Sequence, residues 1–212
     1  MSHATPENPK QPQPKPAQNA DSAHRESPNI TVRRLSPTDS IAEITKLLHR
    51  AYAKQVQMGL APLAGRQTDA QTEQRLFSGE AWVAVEHIPV PDPQDPPHAR
   101  GVLPIAQQKI VGIILYHEIE EAEGPAWFHR PDVAWFSQFA VDPTYQGCGI
   151  GQMLLGTVER RAREDKAKEL GLSMAEPDTD LMNFYMRRGY RFVEHWQWPY
   201  TNYRSVILSK TV

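Results

Sequence analysis

The residues best suited to chemistry in this sequence form a glycine-rich segment between an apolar run and an amphipathic run. Residues 146–152 are Gln-Gly-Cys-Gly-Ile-Gly-Gln, and the apolar run 133–141 precedes them. If the first run is a strand and the second a helix, the glycines lie where the helix begins. Backbone N–H groups are unpaired at that point, and the helix dipole favours an anion. Because glycine has no Cβ, a phosphate can approach these amides closely.

Three types of phosphate-binding loop can be compared with this segment. A P-loop needs Gly-Lys followed by Ser or Thr at the helix start, where Ile150-Gly151-Gln152 stands instead. A dinucleotide fingerprint needs G-x-G-x-x-G, and the third glycine here is out of register. Residues 146–151 instead follow the pattern Gln-x-x-Gly-x-Gly, which is typical of a third type of phosphate-binding loop. A glycine-rich turn that only connects a strand to a helix is the structural alternative.

With its context, this pattern resembles the cofactor loop of the GNAT superfamily of N-acetyltransferases. The context is a strand ending in Ala-Val-Asp-Pro and a helix continuing Met-Leu-Leu. In that superfamily the loop amides hold the pyrophosphate of the cosubstrate acetyl-coenzyme A (acetyl-CoA). Together with a second motif, the resemblance implies these cofactor-binding residues: Phe139, Ala140, Val141, Gln146, Gly147, Cys148, Gly149, Ile150, Gly151, Gln152 and Asn183.

The second motif is Asn183-Phe184-Tyr185, followed by Gly189-Tyr190. It resembles the helix-borne Asn-x-Tyr that closes the cofactor site in GNAT proteins. By that resemblance Tyr185 is the catalytic residue that protonates the departing thiolate, and Asn183 contacts the cofactor. The alternative is that Tyr185 is a core aromatic residue whose hydroxyl is hydrogen-bonded within the protein.

The implied chemistry needs a donor for the thioester oxygen and a base for the amine. The Val141 N–H is our candidate donor, because negative charge develops on that oxygen. The superfamily often uses a glutamate on the strand before the glycine loop, but residues 133–141 contain no acid. The candidates that stay open are a water held by Ser137 or Gln138, and the side chains of Glu118, Glu120, His117 and His195. Cys148 is interpreted as a small loop residue, because bound pyrophosphate would cover its thiol.

These motifs depend on a particular order of elements. Hydrophobic periodicity predicts strand-helix-helix-strand-strand-strand-helix-strand-helix-strand-strand. The predicted segments are 30–35, 37–54, 68–76, 81–86, 109–118, 133–141, a helix from Ile150 to about Gly171, 172–176, 181–188, 190–195 and 203–208. The fold class expected from the resemblance is the α/β GNAT fold. Its central sheet is mixed and mostly antiparallel, with a splayed parallel strand pair, and helices flank it.

Composition divides the 212 residues into a tail and one domain. Residues 1–28 are rich in proline and nearly lack large apolar side chains, which predicts a disordered tail. By the resemblance, residues 29–212 are expected to form a GNAT N-acetyltransferase domain. Within it, residues 88–107 hold six prolines. No regular element tolerates that density, so a surface insertion is expected.

The totals exclude several classes of function. A net charge of −2 and a pI near 6.4 argue against nucleic-acid binding. No apolar run approaches the roughly 20 residues of a membrane span, and no signal peptide is recognisable. The single cysteine and the spacing of the eight histidines predict no disulfide and no metal site. We therefore expect a cytoplasmic protein without a membrane or nucleic-acid partner.

The functional expectation is an acetyl-CoA-dependent N-acetyltransferase that acts on a primary amine by direct attack in a ternary complex. The acceptor is a small molecule or a protein amine, and its pocket is expected to involve residues 58–76, 117–130 and 195–203. A homodimer is left open. One rival is a non-catalytic sensor of acyl-coenzyme A, which the missing strand acid favours. The other rival is a dinucleotide-binding oxidoreductase.

Overall fold

The computed structural model describes Met1 and residues 28–89, 106–118 and 124–212. The predicted tail 1–28 lies outside these ranges except for its two end residues. The predicted insertion 88–107 also lies mostly outside them. At its ends Pro89 pairs with Ala106 and Ile88 with Gln107, so the two flanking strands extend further than the prolines suggested.

The described residues form seven strands and four α-helices, in the predicted order. They are β1 (Ile30–Arg34), α1 (Ile41–Gln57), α2 (Asp69–Leu76), β2 (Glu80–Pro89), β3 (Ala106–His117), β4 (Val133–Val141), α3 (Ile150–Glu164), β5 (Glu169–Ala175), α4 (Thr179–Met186), β6 (Arg191–Trp196) and β7 (Ser205–Thr211). One sheet contains all seven strands in the order β1-β2-β3-β4-β5-β7-β6. Every neighbouring pair is antiparallel except β4 and β5. The predicted mixed, mostly antiparallel sheet is confirmed.

The parallel pair β4–β5 opens into a gap partway along its length. Pairing runs only from Val133 opposite Glu169 to Phe136 opposite Leu172. Beyond that point β4 continues to Val141 and β5 to Ala175 without pairing to each other. The predicted splayed pair is therefore present, and the gap begins at the middle of the sheet.

Helices cover both faces of this sheet. The predicted apolar stripe of α3 is buried on one face, where Ile150, Leu154, Val158 and Ala162 are at most 1% exposed. On the other face α1 and α2 pack Ile44, Leu47, Leu48 and Leu76 against β2 and β3. These two layers hold the carboxyl end of β4 and the start of α3 in fixed positions.

The predicted start of the first helix was wrong. The helix begins at Ile41, not near Pro37, and the Oγ of Ser40 accepts a hydrogen bond from the Glu43 N–H. The Asp39 carboxylate cannot serve the first helical turn, because the Ser36 N–H and the Arg33 guanidinium both donate to it. The chain therefore completes a separate turn before the helix starts.

The predicted end of the long helix was also wrong. α3 ends at Glu164, and Lys166 turns the chain with φ of 61°. Gly171 lies in the middle of β5, so it does not stop the helix. A Cβ on Gly171 would come within 2.7 Å of the Phe128 ring. The glycine is thus explained by close packing against that ring.

Candidate active site

The glycine loop presents a row of free amides at the start of α3. Gly147 and Gly149 have φ values of 82° and 80°, a region that other residues rarely adopt. Nothing lies within 4 Å of a Cβ built on either glycine. Within the described part of the chain, the N–H groups of Gly147, Gly149, Ile150 and Gly151 have no hydrogen-bond partner. Four unpaired donors at a helix N-terminus, beside open space, suit a diphosphate.

The loop is anchored by the carboxylate of Asp142, whose side chain is 6% exposed. Its Oδ1 accepts hydrogen bonds from the Thr144 N–H and hydroxyl, at 3.1 and 2.7 Å. Its Oδ2 accepts two hydrogen bonds from Arg50 of α1, the shorter at 2.7 Å. Burial acts to raise the pKa of Asp142, but these hydrogen bonds outweigh it and hold the pKa below its usual value. The carboxylate therefore stays ionised and ties the loop to α1.

Main-chain groups of β4 face the gap at its carboxyl end. The Asp142 N–H donates to the Val111 carbonyl of β3 at 2.9 Å. Because an antiparallel ladder alternates, the Val141 N–H turns the other way, toward the gap. The Phe139 carbonyl, which lies in an irregular part of the ladder, accepts a hydrogen bond from the Tyr52 hydroxyl at 3.4 Å. The main-chain groups of Ala140 turn toward β3, where it is paired with Ile113. Of the three predicted β4 residues, Val141 thus offers its N–H to the gap, while its carbonyl accepts a hydrogen bond from the Gln146 side chain at 3.4 Å.

A β-bulge at Gln138 interrupts β4 just before its carboxyl end. Leu115 opposes Ser137 and Ile113 opposes Ala140, so Gln138 and Phe139 together face one residue of β3. Gln138 has φ of 48°, which is uncommon for a residue with a side chain. A bulge bends its strand and changes the direction of the residues after it. No sequence pattern at Gln138 indicates this conformation, and the sequence analysis missed it.

One cavity of about 1180 Å³ runs from the glycine loop through the gap to the α1–α2 face of the sheet. The predicted site residues that line it are Phe139, Ala140, Val141, Gln146, Gly147, Gly149, Ile150, Gly151, Gln152 and Tyr185. Cys148 and Asn183 are exposed and do not line it. The cavity therefore brings the two sequence motifs together, except for these two residues.

Tyr185 stands beside the gap on α4. This short helix is fixed by Asp178, whose carboxylate caps it by accepting a hydrogen bond from the Leu181 N–H. The Tyr185 side chain is 3% exposed and packs among aromatic rings that include Phe139 and Tyr190. Its hydroxyl makes no hydrogen bond to any described residue. Burial raises the pKa of Tyr185 well above its usual value, so the phenol keeps its proton.

Of the predicted base candidates, His117 and Ser137 meet at the cavity. The His117 Nε2 and the Ser137 Oγ are 2.9 Å apart, and both residues line the cavity. Burial lowers the pKa of His117 to about 4, so its ring is neutral at pH 7. Glu118 pairs with Arg161, and neither it nor His195 lines the cavity. Glu120 lies outside the described residues.

The far end of the cavity uses all three segments expected to hold the acceptor. Its walls include Pro62, Leu63 and Ala64, then Phe128 and His129, then Trp198, Tyr200, Thr201 and Tyr203. Sequence analysis missed Arg75, which also lines this end. Its position in the last turn of α2 is an ordinary place for a basic residue, so nothing in the pattern marked it.

The described residues offer neither a metal site nor a membrane span. There, no group of three or more His, Cys, Asp or Glu side chains is arranged to hold a metal ion. None of the helices in those same ranges has both the length and the apolar character to cross a membrane.

Comparison with solved structures finds the same fold in acetyltransferases. A GNAT family acetyltransferase from Staphylococcus aureus Mu50 aligns with a TM-score of 0.57 at 15% identity, covering 86% of this chain and 98% of that one. YncA from Salmonella typhimurium, a putative acetyltransferase solved with its cofactor acetyl-CoA, gives 0.54 at 17% identity, covering 86% and 94%. An Elizabethkingia anophelis GNAT family acetyltransferase with acetyl-CoA bound gives 0.51 at 16%, covering 87% and 99%.

Sequence comparison gives the assignment. Comparison with curated protein sequences finds no significant match. The family model for the acetyltransferase (GNAT) family matches residues 70–190, which is more than half of the chain and includes the glycine loop, the gap and Tyr185. The chain belongs to the acetyltransferase (GNAT) family.

Proposed function

We propose that this protein is an acetyl-CoA-dependent N-acetyltransferase that transfers an acetyl group to a primary amine by direct attack in a ternary complex. One observation carries the proposal: four unpaired amides at the start of α3 lie at the mouth of the β4–β5 gap, on the same cavity as Tyr185. The acceptor is a small molecule or a protein amine.

The residues present fit the cosubstrate. Gly147, Gly149, Ile150 and Gly151 would hold the pyrophosphate through their unpaired N–H groups, and the space beside Gly147 and Gly149 is open. Val141 offers its N–H to the gap. Acetyl-CoA, when bound, supplies the acetyl thioester. Two of the structural neighbours were solved with this molecule, which supports the same choice here.

Two groups of this chain serve the reacting atoms. The Val141 N–H is fixed by the β4 backbone and donates to the oxygen on which negative charge develops, at little reorganisation cost. Tyr185 then gives its proton to the departing sulfur. Its raised pKa keeps the phenol protonated until a thiolate forms beside it.

The acceptor amine must be neutral before it can attack. Burial in the cavity lowers the pKa of an alkyl ammonium, because the charged form is desolvated. The Ser137 Oγ lies at the gap and accepts a hydrogen bond from the amine, while the neutral His117 accepts one from Ser137. This pair orients the amine and gives its proton a route away from the gap.

The test combines binding and turnover. Calorimetry with acetyl-CoA, and a transfer assay against a panel of primary amines, are run on the wild type and on Tyr185→Phe. We expect binding in both proteins, and amine acetylation that is at least about 100-fold slower in Tyr185→Phe than in the wild type. If the wild type binds acetyl-CoA but acetylates no amine, the sensor reading replaces the enzyme. If it does not bind acetyl-CoA, both readings fail.

A further inference from the structure

Arg75 brings an unneutralised charge to the far end of the cavity. Its Nη1 donates to the Oε1 of Gln67 at 2.8 Å. No carboxylate lies within 4 Å of its guanidinium in the described ranges, although two other cavity-lining cations, Arg50 and Lys54, are paired with Asp142 and Asp180. Burial lowers the pKa of Arg75, which is the cost of holding this charge away from water.

The surrounding phenols do not neutralise Arg75. Tyr52, Tyr200 and Tyr203 lie close enough for its positive charge to act on their hydroxyls. Burial nevertheless raises the pKa of all three, that of Tyr203 to about 12. At neutral pH all three are therefore uncharged, and Arg75 keeps a full positive charge that faces the cavity.

A second donor lies next to Arg75 without a partner. Gln138, at the bulge, is 3% exposed, and its Nε2 has no hydrogen-bond partner in the described structure. The Gln67 carboxamide joins the two residues: its Oε1 accepts from Arg75, and its Nε2 donates to the Gln138 Oε1 at 3.0 Å. Arg75 is half-buried and lines the cavity, whereas the Gln138 Nε2 is closed off from solvent and does not open onto it. Gln138 therefore holds Gln67, and through it Arg75, in place.

The N–H groups that Arg75 has left over define the chemistry of a ligand. A buried charge without a counter-charge is costly, and an anion that accepts hydrogen bonds from Arg75 would reduce that cost. The planar guanidinium fork matches a carboxylate in particular. Ser137 is next to Gln138 in β4 and also lines the cavity. The charge of Arg75 also acts on His117, whose Nε2 is 2.9 Å from the Ser137 Oγ, so a ligand held at Arg75 lies close to the gap at which the acyl transfer is proposed to occur.

We propose that the acceptor is a small primary amine that also carries a carboxylate, as amino acids do, and that Arg75, positioned by Gln67 and Gln138, binds this carboxylate while the amine faces Ser137. This inference rests on the proposed acetyl transfer. The aromatic rings of Trp198 and Tyr200, which stack with centroids 5.5 Å apart, and of Phe128 form the walls around this position. An acceptor with an apolar or aromatic side chain fits such walls.

The experiment compares matched acceptors. Phenylalanine and leucine are each assayed against the amine that lacks only the carboxylate, phenethylamine and isopentylamine. Phosphoethanolamine tests a phosphate in place of the carboxylate. We expect kcat/KM of the wild type to be roughly 10- to 100-fold higher for the amino acid of each pair, the size of a hydrogen-bonded charge contact. A preference for phosphoethanolamine over both amino acids would contradict the carboxylate.

Variants separate recognition from folding. Arg75→Gln should abolish the preference within each pair while acetyl-CoA affinity stays unchanged. Gln138→Glu keeps Arg75 but adds a carboxylate that can neutralise it, so this variant should also abolish the preference. It provides a second test if Arg75→Gln does not fold. Arg160→Gln is the matched control, because Arg160 is an exposed residue on α3 outside the cavity. It should retain the full preference.

The outcomes distinguish this inference from the proposed function. If the wild type acetylates the amines without a carboxylate equally well, and Arg75→Gln changes nothing, this inference is wrong while acetyl transfer stands. If no amine is acetylated, calorimetry of phenylalanine and phenethylamine on wild type and Arg75→Gln still tests the carboxylate site directly. Binding that needs both the carboxylate and Arg75 supports the site, and its absence overturns it.

Discussion

Tyr185 and Tyr190 allow one hydroxyl to be compared with another in the same aromatic cluster. Their rings lie 5.5 Å apart, and both side chains are at most 3% exposed. Tyr185 lines the cavity, whereas Tyr190 does not. The Tyr190 hydroxyl is buried without a partner among the described residues. Replacing either residue with phenylalanine removes one oxygen and leaves the packing in place.

The two substitutions should change different quantities: Tyr185→Phe should change kcat, and Tyr190→Phe should change stability. Tyr185→Phe removes the proposed general acid, which predicts a fall in kcat of about 10²- to 10⁴-fold, equivalent to about 3–5 kcal/mol in the barrier. Acetyl-CoA affinity should change little, because the loop amides supply it. Tyr190→Phe removes a buried hydroxyl that has no partner, so it should leave kcat unchanged and raise the free energy of unfolding by roughly 1 kcal/mol.

The assay follows loss of the thioester absorbance, and urea unfolding gives the stability of each variant. A thiol reagent is unsuitable as the only readout, because the exposed Cys148 would also react. The reasoning is refuted if Tyr185→Phe keeps most of its kcat. It is equally refuted if Tyr190→Phe loses as much activity as Tyr185→Phe, because the cluster would then act through packing alone.

Three further predictions concern the loop, its anchor and the buried histidine. Gly149→Ala should weaken acetyl-CoA binding in calorimetry by at least about tenfold, because its Cβ enters the proposed anion site and alanine is strained at φ of 80°. The control is Gly156→Ala on the exposed side of α3, which should leave binding unchanged and stabilise the helix by up to about 1 kcal/mol. Asp142→Asn should destabilise the fold at pH 7 by about 1.5–3 kcal/mol. Because folding lowers the pKa of Asp142, its carboxylate stabilises the fold above the unfolded-state pKa, and this stabilisation is lost as the pH falls through the folded-state pKa. The free energies of unfolding of the wild type and Asp142→Asn, measured with urea, should therefore converge below about pH 4. A constant difference down to pH 3 would contradict this. His117 should titrate near pH 4 by NMR. Because the unfolded state takes up the His117 proton at a higher pH than the folded state, the free energy of unfolding should fall as the pH drops from about 6.5 to 4. His117→Gln should reduce this fall.

Local chemistry explains why much of this structure could be predicted from the sequence. Gly147 and Gly149 mark backbone that needs positive φ, and Asp178 is a cap whose hydrogen bond is local. The strand-loop-helix-strand order around them requires a parallel crossover, which β4, α3 and β5 confirm. These features depend on neighbours a few residues apart, and such patterns are visible in one sequence.

The features that sequence analysis missed depend on contacts between distant segments. Gly171 was interpreted as a helix stop, although its role is to admit Phe128, which is 43 positions earlier in the chain and therefore invisible to a local pattern. No residue pattern in the apolar run 133–141 indicates the bulge at Gln138. The unneutralised positive charge at Arg75 becomes apparent only when the packing shows that no described carboxylate reaches it.

The central claim is that backbone amides at the start of α3 hold a diphosphate and direct an acyl group into the β4–β5 gap. A crystal structure with acetyl-CoA tests it most directly. The account predicts pyrophosphate oxygens at about 3 Å from the N–H groups of residues 147–151, with the thioester beside Val141 and Tyr185. A complex in which the ligand is bound elsewhere, with that loop empty, would contradict it.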